Sequence, residues 1–324
     1  MPLPERRGTS LLPPSLIKKQ QGIVSKAQLR SSGHTRSDVR AKVDGGRWQI
    51  VLPGVVATFT GALSRQAKLC AALLYGGKDA VLSHHTAAEE WHLVPIAGGP
   101  VEITVPYTNS AISRPPLVVV HRSRTLARTA IKTNPPRTRL ADTIIDLATS
   151  RATPQEATNA IVDLVGRSRV TTSELEARLD LRPPFRHRAG IRRGLELVRG
   201  GLMSALEVAY QEDVEDLHGL PRGSRQTPFE VDEKTLWEDV TYDAQGAAVT
   251  VRLDGRSTHS TPGVAFRDRR RDNAAELAGR ARLVYGWRDV RDTLCAVAAE
   301  VRAILLREGW NPRGARKNVC PRCR

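Results

Sequence analysis

Several residue types are scarce in this chain of 324 residues, which has four cysteines, two methionines and 4 % aromatic residues. So few cysteines in a chain of this length exclude a fold held together by disulfides. No uncharged apolar stretch reaches the roughly 18 residues that a transmembrane helix needs. The first residues also lack the basic, apolar and small-residue order of a secretion signal. We therefore expect a cytoplasmic protein of several domains with no membrane partner.

Basic residues, in contrast, are abundant. The chain has 50 Lys and Arg against 34 Asp and Glu, a net charge of +16. Residues 1–150 hold 20 Lys and Arg against 9 Asp and Glu, whereas residues 151–324 hold 30 against 25. A positive charge concentrated in one half of a chain favours a polyanionic partner, and double-stranded DNA is the partner we expect.

Residues 16–60 have the pattern of a winged helix-turn-helix, after a Pro- and Arg-rich segment, 1–15, that is expected to be disordered. Ser25 is a suitable N-cap for a short helix, and Thr35 or Ser37 for a second helix that ends at two glycines. Two apolar runs around Leu-Pro-Gly then predict a hairpin, or wing. In this fold the second helix enters the major groove. The predicted DNA contacts on that helix and at the wing are Arg36, Ser37, Arg40, Lys42 and Arg47. The alternative is that these side chains form only a solvated surface.

The remaining sequence predicts an α+β multidomain protein. Residues 61–150 alternate helical and strand patterns and predict a small α/β domain. Residues 151–200 predict a helical connector, with a basic run before the next domain. Residues 201–310 predict a mixed sheet with flanking helices, of the kind found in restriction endonucleases. Residues 311–324 form a basic tail.

Four residues of the last domain suggest phosphodiester chemistry. Glu207 lies on a predicted helix, Asp239 and Asp254 lie on neighbouring predicted strands, and His259 follows five residues later. Carboxylates that converge in this way can hold Mg²⁺, which activates water, and a histidine can transfer the proton. All four are candidate catalytic residues, and Asp239 and Asp254 are the candidate metal ligands. Simpler interpretations remain open, because Ser204 and Glu207 match a capping box and Asp254 stands in a common turn pair.

Around these residues the chain resembles the very-short-patch-repair (Vsr-like) endonucleases of the PD-(D/E)xK fold. The resemblance covers about 201–310 and rests on Trp-Glu-Asp-Val-Thr-Tyr at 237–242, Val-Thr-Val-Arg-Leu-Asp-Gly-Arg at 249–256 and the charged run at 267–273. Relatives commonly read Val-Glu-Leu-Asp-Gly where this chain has Arg252.

An arginine at this position changes what the resemblance implies. A guanidinium cannot ligate a metal, and it can pair with Asp239 or Asp254 in the metal's place. We therefore expect a weakened or lost nuclease. An active Mg²⁺-dependent DNA endonuclease, with Arg252 as a phosphate clamp, is the alternative.

Residues from about 16 to 148 resemble the AbiEi-type antitoxins of type IV toxin–antitoxin systems. The resemblance rests on Gly-Ile-Val-Ser-Lys-Ala-Gln from Gly22, Gly-Arg-Trp-Gln-Ile-Val-Leu-Pro-Gly-Val from Gly46, and Pro-Arg-Thr-Arg-Leu-Ala-Asp up to Asp142. It implies a winged helix, a second α/β domain and repression through operon DNA, with a toxin as a further candidate partner. An antitoxin that binds only protein is a third hypothesis.

The cysteines predict little by their spacing. Cys320-Pro-Arg-Cys323 is half of a zinc knuckle, and no second Cys or His pair follows at the usual distance. On this ground no zinc is expected, and the end of the chain is predicted to be frayed.

Overall fold

A computed structural model of the protein describes residues 12–202, 204–231, 234–254 and 279–323. It is a mixed α/β structure with three sheets. The chain forms two compact units, one of Met1–Leu147 with Ala177–Pro184 and one of Ala148–Glu176 with Phe185–Arg324. None of the helices within the described ranges combines the length and the apolar character that a membrane span requires.

The first unit begins with three helices and a small antiparallel sheet. The elements are α1 (Pro14–Lys19), β1 (Ile23–Ser25), α2 (Lys26–Ser31), α3 (Arg36–Asp44), β2 (Gln49–Leu52) and β3 (Val55–Ala57), with the strands in the order β1-β3-β2. Ser25 and Thr35 cap α2 and α3 through complete capping boxes, as predicted, and Ser37 is not the cap. Gly54 has a φ of 84° in the tight turn between β2 and β3, a conformation that favours glycine.

A five-stranded sheet forms the rest of the first unit. Its elements are α4 (Arg65–Gly76), β4 (Val81–Leu82), α5 (His84–Glu90), β5 (Val101–Pro106), β6 (Val118–Ser123), α6 (Leu126–Thr129), β7 (Ala130–Ile131), β8 (Arg137–Thr138) and α7 (Leu140–Thr149). The strand order is β6-β5-β4-β8-β7. Alanine and leucine side chains of α4 pack on Leu82 and Ile103 in the core.

The second unit contains a four-stranded sheet and several helices. Its elements begin with α8 (Pro154–Gly166) and the first part of α9 (Thr172–Asp180), whose residues from Ala177 belong to the first unit. These are followed by α10 (Arg188–Arg199) and α11 (Ala205–Ala209), which continues as a π-helix (Tyr210–Asp216). Next come β9 (Ser224–Val231), β10 (Lys234–Thr241), β11 (Val249–Asp254), β12 (Ala281–Gly286), α12 (Trp287–Asp292), α13 (Leu294–Arg307) and a 3₁₀ turn (Pro321–Cys323). The strand order is β12-β11-β10-β9, with β11 and β12 parallel and the other pairs antiparallel. Residues 255–278 of the domain predicted at 201–310 lie outside the described residues.

Most of the segment expected to connect the domains, 151–200, packs inside the second unit, whereas Ala177–Pro184 belongs to the first unit. The basic run around 186–193 belongs largely to α10, which lies against α8. Gly190 and Gly194 make the close approach possible, since a Cβ at Gly194 would lie 2.6 Å from Ile161 Cγ2. Two glycines four residues apart share one helix face and so bring the two backbones together.

The end of the chain is not the frayed tail that its composition predicts. The Val319 N–H donates to the Leu217 carbonyl at 2.8 Å, and Arg316 Nη2 donates to the Leu220 carbonyl at 2.7 Å. Arg316 also forms an ion pair with Asp216. These contacts join residues about 100 positions apart, so no local pattern could show them.

Candidate nucleic-acid interface and carboxylate site

Helix α3 presents most of the residues predicted to contact DNA. Arg36, Ser37 and Arg40 are exposed, and no residue of α3 is fully buried. The inner side of α3 rests on a small core through Val39 and Val43. Since that core holds the inner side, the arginine-bearing side faces solvent.

The cations of α3 differ in how freely they can reach a ligand. Arg40 lies 3.4 Å from Asp44, but both side chains are highly exposed, at 84 % and 66 %. An exposed pair of this kind contributes little energy and can exchange for a phosphate. Lys42 Nζ lies 4.5 Å from the centre of the Trp48 ring, a cation–π contact that holds Lys42 against the base of the β2–β3 hairpin.

Two of the predicted contacts lie at the edges of this surface. The Ser37 hydroxyl lies 2.8 Å from the hydroxyl of Thr35, the N-cap residue of α3. Arg47 is exposed just before β2. The surface therefore has exposed guanidinium groups on α3 and at the entry to the hairpin. Over residues 12–60 the sequence has eight Lys and Arg against two Asp, a net charge of +6.

The predicted carboxylate site lies on β10 and β11, the two central strands of the second unit's sheet. Asp239 is on β10, and its Oδ2 accepts the backbone N–H of Leu253 on β11 at 2.7 Å. Asp254 ends β11, with its side chain 43 % exposed, and lies 3.8 Å from Arg252 Nη2. Asp254 and Arg252 thus lie on β11, and Asp239 lies on the neighbouring strand β10.

Glu207 is buried and takes part in local hydrogen bonds. Its Oε1 accepts from the Ser204 hydroxyl at 3.2 Å and from Gln226 Nε2 at 3.3 Å, while Ser204 Oγ accepts the Glu207 N–H. The Ser204 half of the predicted capping box is therefore present. Gln226 has a φ of 46° where the β9–β10 pairing is interrupted. Sequence reasoning missed Gln226, because nothing in its surroundings marks an irregular strand residue.

The three carboxylates do not form a compact metal cage. Among the residues that the structure describes, Glu207, Asp239 and Asp254 do not all bring an oxygen within 4.8 Å of one another. His259 lies outside the described ranges, as does the charged run at 267–273. Two carboxylates thus remain on the central strands. Asp239 accepts the Leu253 N–H, and Asp254 lies near Arg252.

A stacked histidine pair lies in the first unit. The rings of His84 and His121 stack with centres 3.7 Å apart, and His121 Nε2 lies 2.8 Å from Glu102 Oε2. The His84 Nδ1 lies 3.0 Å from the Ser83 hydroxyl, and burial lowers the pKa of His84. The three ligand atoms of His84, Glu102 and His121 are close enough for a metal, but the hydrogen bonds and stacking account for their positions.

A second group of metal-ligating side chains lies in the second unit. It consists of His218, Cys295, Cys320 and Cys323, whose ligand atoms all lie within 4.8 Å of one another. These four residues come from three segments that are far apart in the sequence, whereas a zinc knuckle has its ligand pairs at short spacing. No spacing rule could have found this group.

A scan of the chain against protein-family models gives no match, and no curated protein matches it either.

Proposed function

We propose that the protein binds double-stranded DNA through α3, as a regulator of the antitoxin type. The observation that carries the proposal is that the basic side of α3 faces solvent, while its other side packs on the small core that it shares with α1, α2, β1 and β3. The element order α1-β1-α2-α3-β2-β3, with the strands in the order β1-β3-β2, is compatible with a winged helix and supports the proposal. In such a domain the second helix of the helix-turn-helix pair enters the major groove, and here that helix is α3.

The exposed groups suit different parts of a duplex. Arg36 and Arg40 lie one turn apart on α3, so they can face the groove together. Arginine also pairs well with guanine edges and with phosphates. Arg47, beside the hairpin, is placed to contact the phosphate backbone. Lys42 supports the hairpin through Trp48 rather than reaching outward. Operon DNA is the target that the antitoxin resemblance suggests.

Reversal of the charge on α3 should abolish most of the DNA affinity. We expect the full chain carrying Arg36→Glu and Arg40→Glu to bind a mixed-sequence duplex about 100-fold more weakly than the native chain, because two contacts of about 1–3 kcal/mol each are lost. Fluorescence anisotropy of a labelled duplex measures this loss.

The matched control changes the net charge equally at another place in the first unit. Lys68 on α4 and Lys78 just after it are both exposed. The Lys68→Glu, Lys78→Glu variant should bind within a few-fold of the native chain. Equal losses in the two double variants would show that overall charge, and not α3, determines binding, and would contradict the proposal.

We further propose that the carboxylate site of the second unit, Asp239 and Asp254, does not cut DNA. Two contacts support this proposal. Arg252 puts a fixed positive charge 3.8 Å from Asp254, and a backbone N–H already bonds Asp239. A guanidinium next to a carboxylate lowers the local demand for a cation and opposes Mg²⁺ binding.

Removal of the Arg252 guanidinium should favour metal binding at the carboxylate site. We expect the native chain to leave supercoiled plasmid and mismatched duplex uncut in Mg²⁺ or Mn²⁺, and Arg252→Glu to gain nicking activity, since a third carboxylate joins Asp239 and Asp254. Gel electrophoresis of the plasmid measures both results.

Two variants make the nuclease test specific. Arg288→Glu makes the same change of charge at an exposed position on α12 and should gain nothing. Asp239→Asn added to Arg252→Glu should remove any gain. Cutting by the native chain that disappears in Asp239→Asn would identify an active endonuclease instead, the alternative function for this domain.

A further inference from the structure

We propose that His218, Cys295, Cys320 and Cys323 form a structural zinc site in the second unit. Three thiol sulphurs and one imidazole nitrogen are a donor set that Zn²⁺ prefers in closed, four-coordinate sites. Their ligand atoms all lie within 4.8 Å of one another. The set is complete without a water or a substrate, which is typical of a structural site rather than a catalytic one.

The sulphur separation fits a tetrahedral ion. Cys295 Sγ and Cys320 Sγ are 3.7 Å apart. Two Zn–S bonds of about 2.3 Å at the tetrahedral angle put their sulphurs about 3.8 Å apart. A disulfide would need about 2.05 Å, so the two thiols stand at ligand spacing and not at bonding distance.

His218 is already oriented for coordination. Its Nδ1 lies 3.1 Å from the Val214 carbonyl, which accepts a hydrogen bond from a protonated Nδ1. That tautomer leaves a lone pair on Nε2, which is buried and has no hydrogen-bond partner among the groups that the structure describes. Metal-bound histidines usually donate their other ring N–H to a carbonyl or carboxylate in this way. A buried acceptor without a donor is costly, and a metal ion would satisfy it.

The elements around the site explain what the ion would do. His218 follows the π-helix, Cys295 lies in the first turn of α13, and Cys320 and Cys323 bracket the C-terminal 3₁₀ turn. A single ion bonded to all of them would fix the end of the chain to two helices of the second unit. On binding, three S–H protons are released and three Zn–S bonds and one Zn–N bond form. Arg291 and Arg322, which line the groove beside Cys320, suit the negative charge of a three-thiolate centre.

Cys70 is the control residue for the cysteine substitutions, because it lies in the first unit and is not one of the proposed zinc ligands. The full chain, purified with reductant and exposed to Zn²⁺, should retain about one zinc per chain by elemental mass spectrometry. Cys70→Ser should retain the same amount. Cys320→Ser and Cys323→Ser should bind zinc more than about 100-fold more weakly. Co²⁺ in place of Zn²⁺ should give the intense visible bands of a tetrahedral thiolate centre in the native chain and in Cys70→Ser only.

If Cys320→Ser does not fold, the Cys323→Ser variant tests the proposal instead. Its side chain is exposed, whereas Cys320 is buried, so serine at 323 leaves the packing intact. A chelator should lower the thermal unfolding midpoint of the native chain and of Cys70→Ser, and should leave Cys323→Ser unchanged. Equal zinc content in Cys323→Ser, a native chain insensitive to chelator, or a Cys295–Cys320 disulfide in the reduced preparation would each overturn the proposal.

Discussion

Replacement of Asp142 by alanine should lower the free energy of unfolding by about 3–5 kcal/mol, because it would leave Arg178 without its buried counter-charge and Arg182 with Asp146 alone. The Asp142 side chain is fully buried. Its Oδ2 lies 2.6 Å from Arg178 Nη2, and its Oδ1 lies 3.0 Å from Arg182 Nη2. The two arginine side chains are only 16 % and 12 % exposed. Water can therefore replace few of the hydrogen bonds that they would lose with Asp142. Chemical denaturation followed by circular dichroism gives the difference.

An exposed aspartate of the same unit provides the comparison. Asp44 pairs with Arg40 at the surface, and Asp44→Ala should change the free energy of unfolding by less than about 1 kcal/mol. The same small change in Asp142→Ala would mean that the buried cluster does not hold residues 177–184 to the first unit.

Replacement of Glu215 by alanine should destabilise the second unit by a similar amount, about 3–5 kcal/mol. Glu215 is fully buried in the π-helix and forms an ion pair with Arg225, whose side chain is 4 % exposed. It also accepts the Tyr242 hydroxyl at 2.6 Å and the Gly223 N–H at 3.0 Å. Burial raises the pKa of the Glu215 carboxyl, while the charge of Arg225 opposes that rise. Alanine would leave the Arg225 guanidinium without its counter-charge and the Gly223 N–H without its acceptor.

A double-mutant cycle separates the ion pair from the lost packing. Glu215→Gln keeps an acceptor for Tyr242 but leaves the Arg225 charge uncompensated. Arg225→Met added to it removes that charge, and we expect a coupling energy of about 1–3 kcal/mol between the two substitutions. Glu176→Gln, at a half-exposed pair with Arg199, is the surface control and should cost less than about 1 kcal/mol. Strictly additive effects at 215 and 225 would contradict the account of the network.

Features with local causes could be predicted from the sequence. The helix caps at Ser25 and Thr35 depend on residues three positions away, and the tight turn at Gly54 depends on its own φ. The alternating strands around Asp239 and Asp254 also followed from pattern, because one buried sheet face imposes a period of two. For the same reason, the sequence could suggest that Arg252 and Asp254 share a face.

Features that depend on long-range contacts could not be predicted. The bond from the Leu253 N–H to Asp239 joins two strands, and the irregular backbone at Gln226 has no signature in its neighbours. The grouping of His218 with the cysteines needs the whole second unit to fold. The glycine contact between α8 and α10 likewise became visible only when both helices were in place. The connector at 151–200 and the frayed tail were therefore predicted from local patterns, which hold no information on these contacts.

The salt dependence of DNA binding tests the central claim most directly. Each cation that neutralises a phosphate contributes about 0.9 to the slope of log K against log salt concentration. The account predicts a steep slope for the native full chain and a slope lower by about 2 for the Arg36→Gln, Arg40→Gln variant, with Lys68→Gln, Lys78→Gln unchanged. A flat profile for the native chain would contradict DNA binding through α3 and would leave an antitoxin that acts on protein alone.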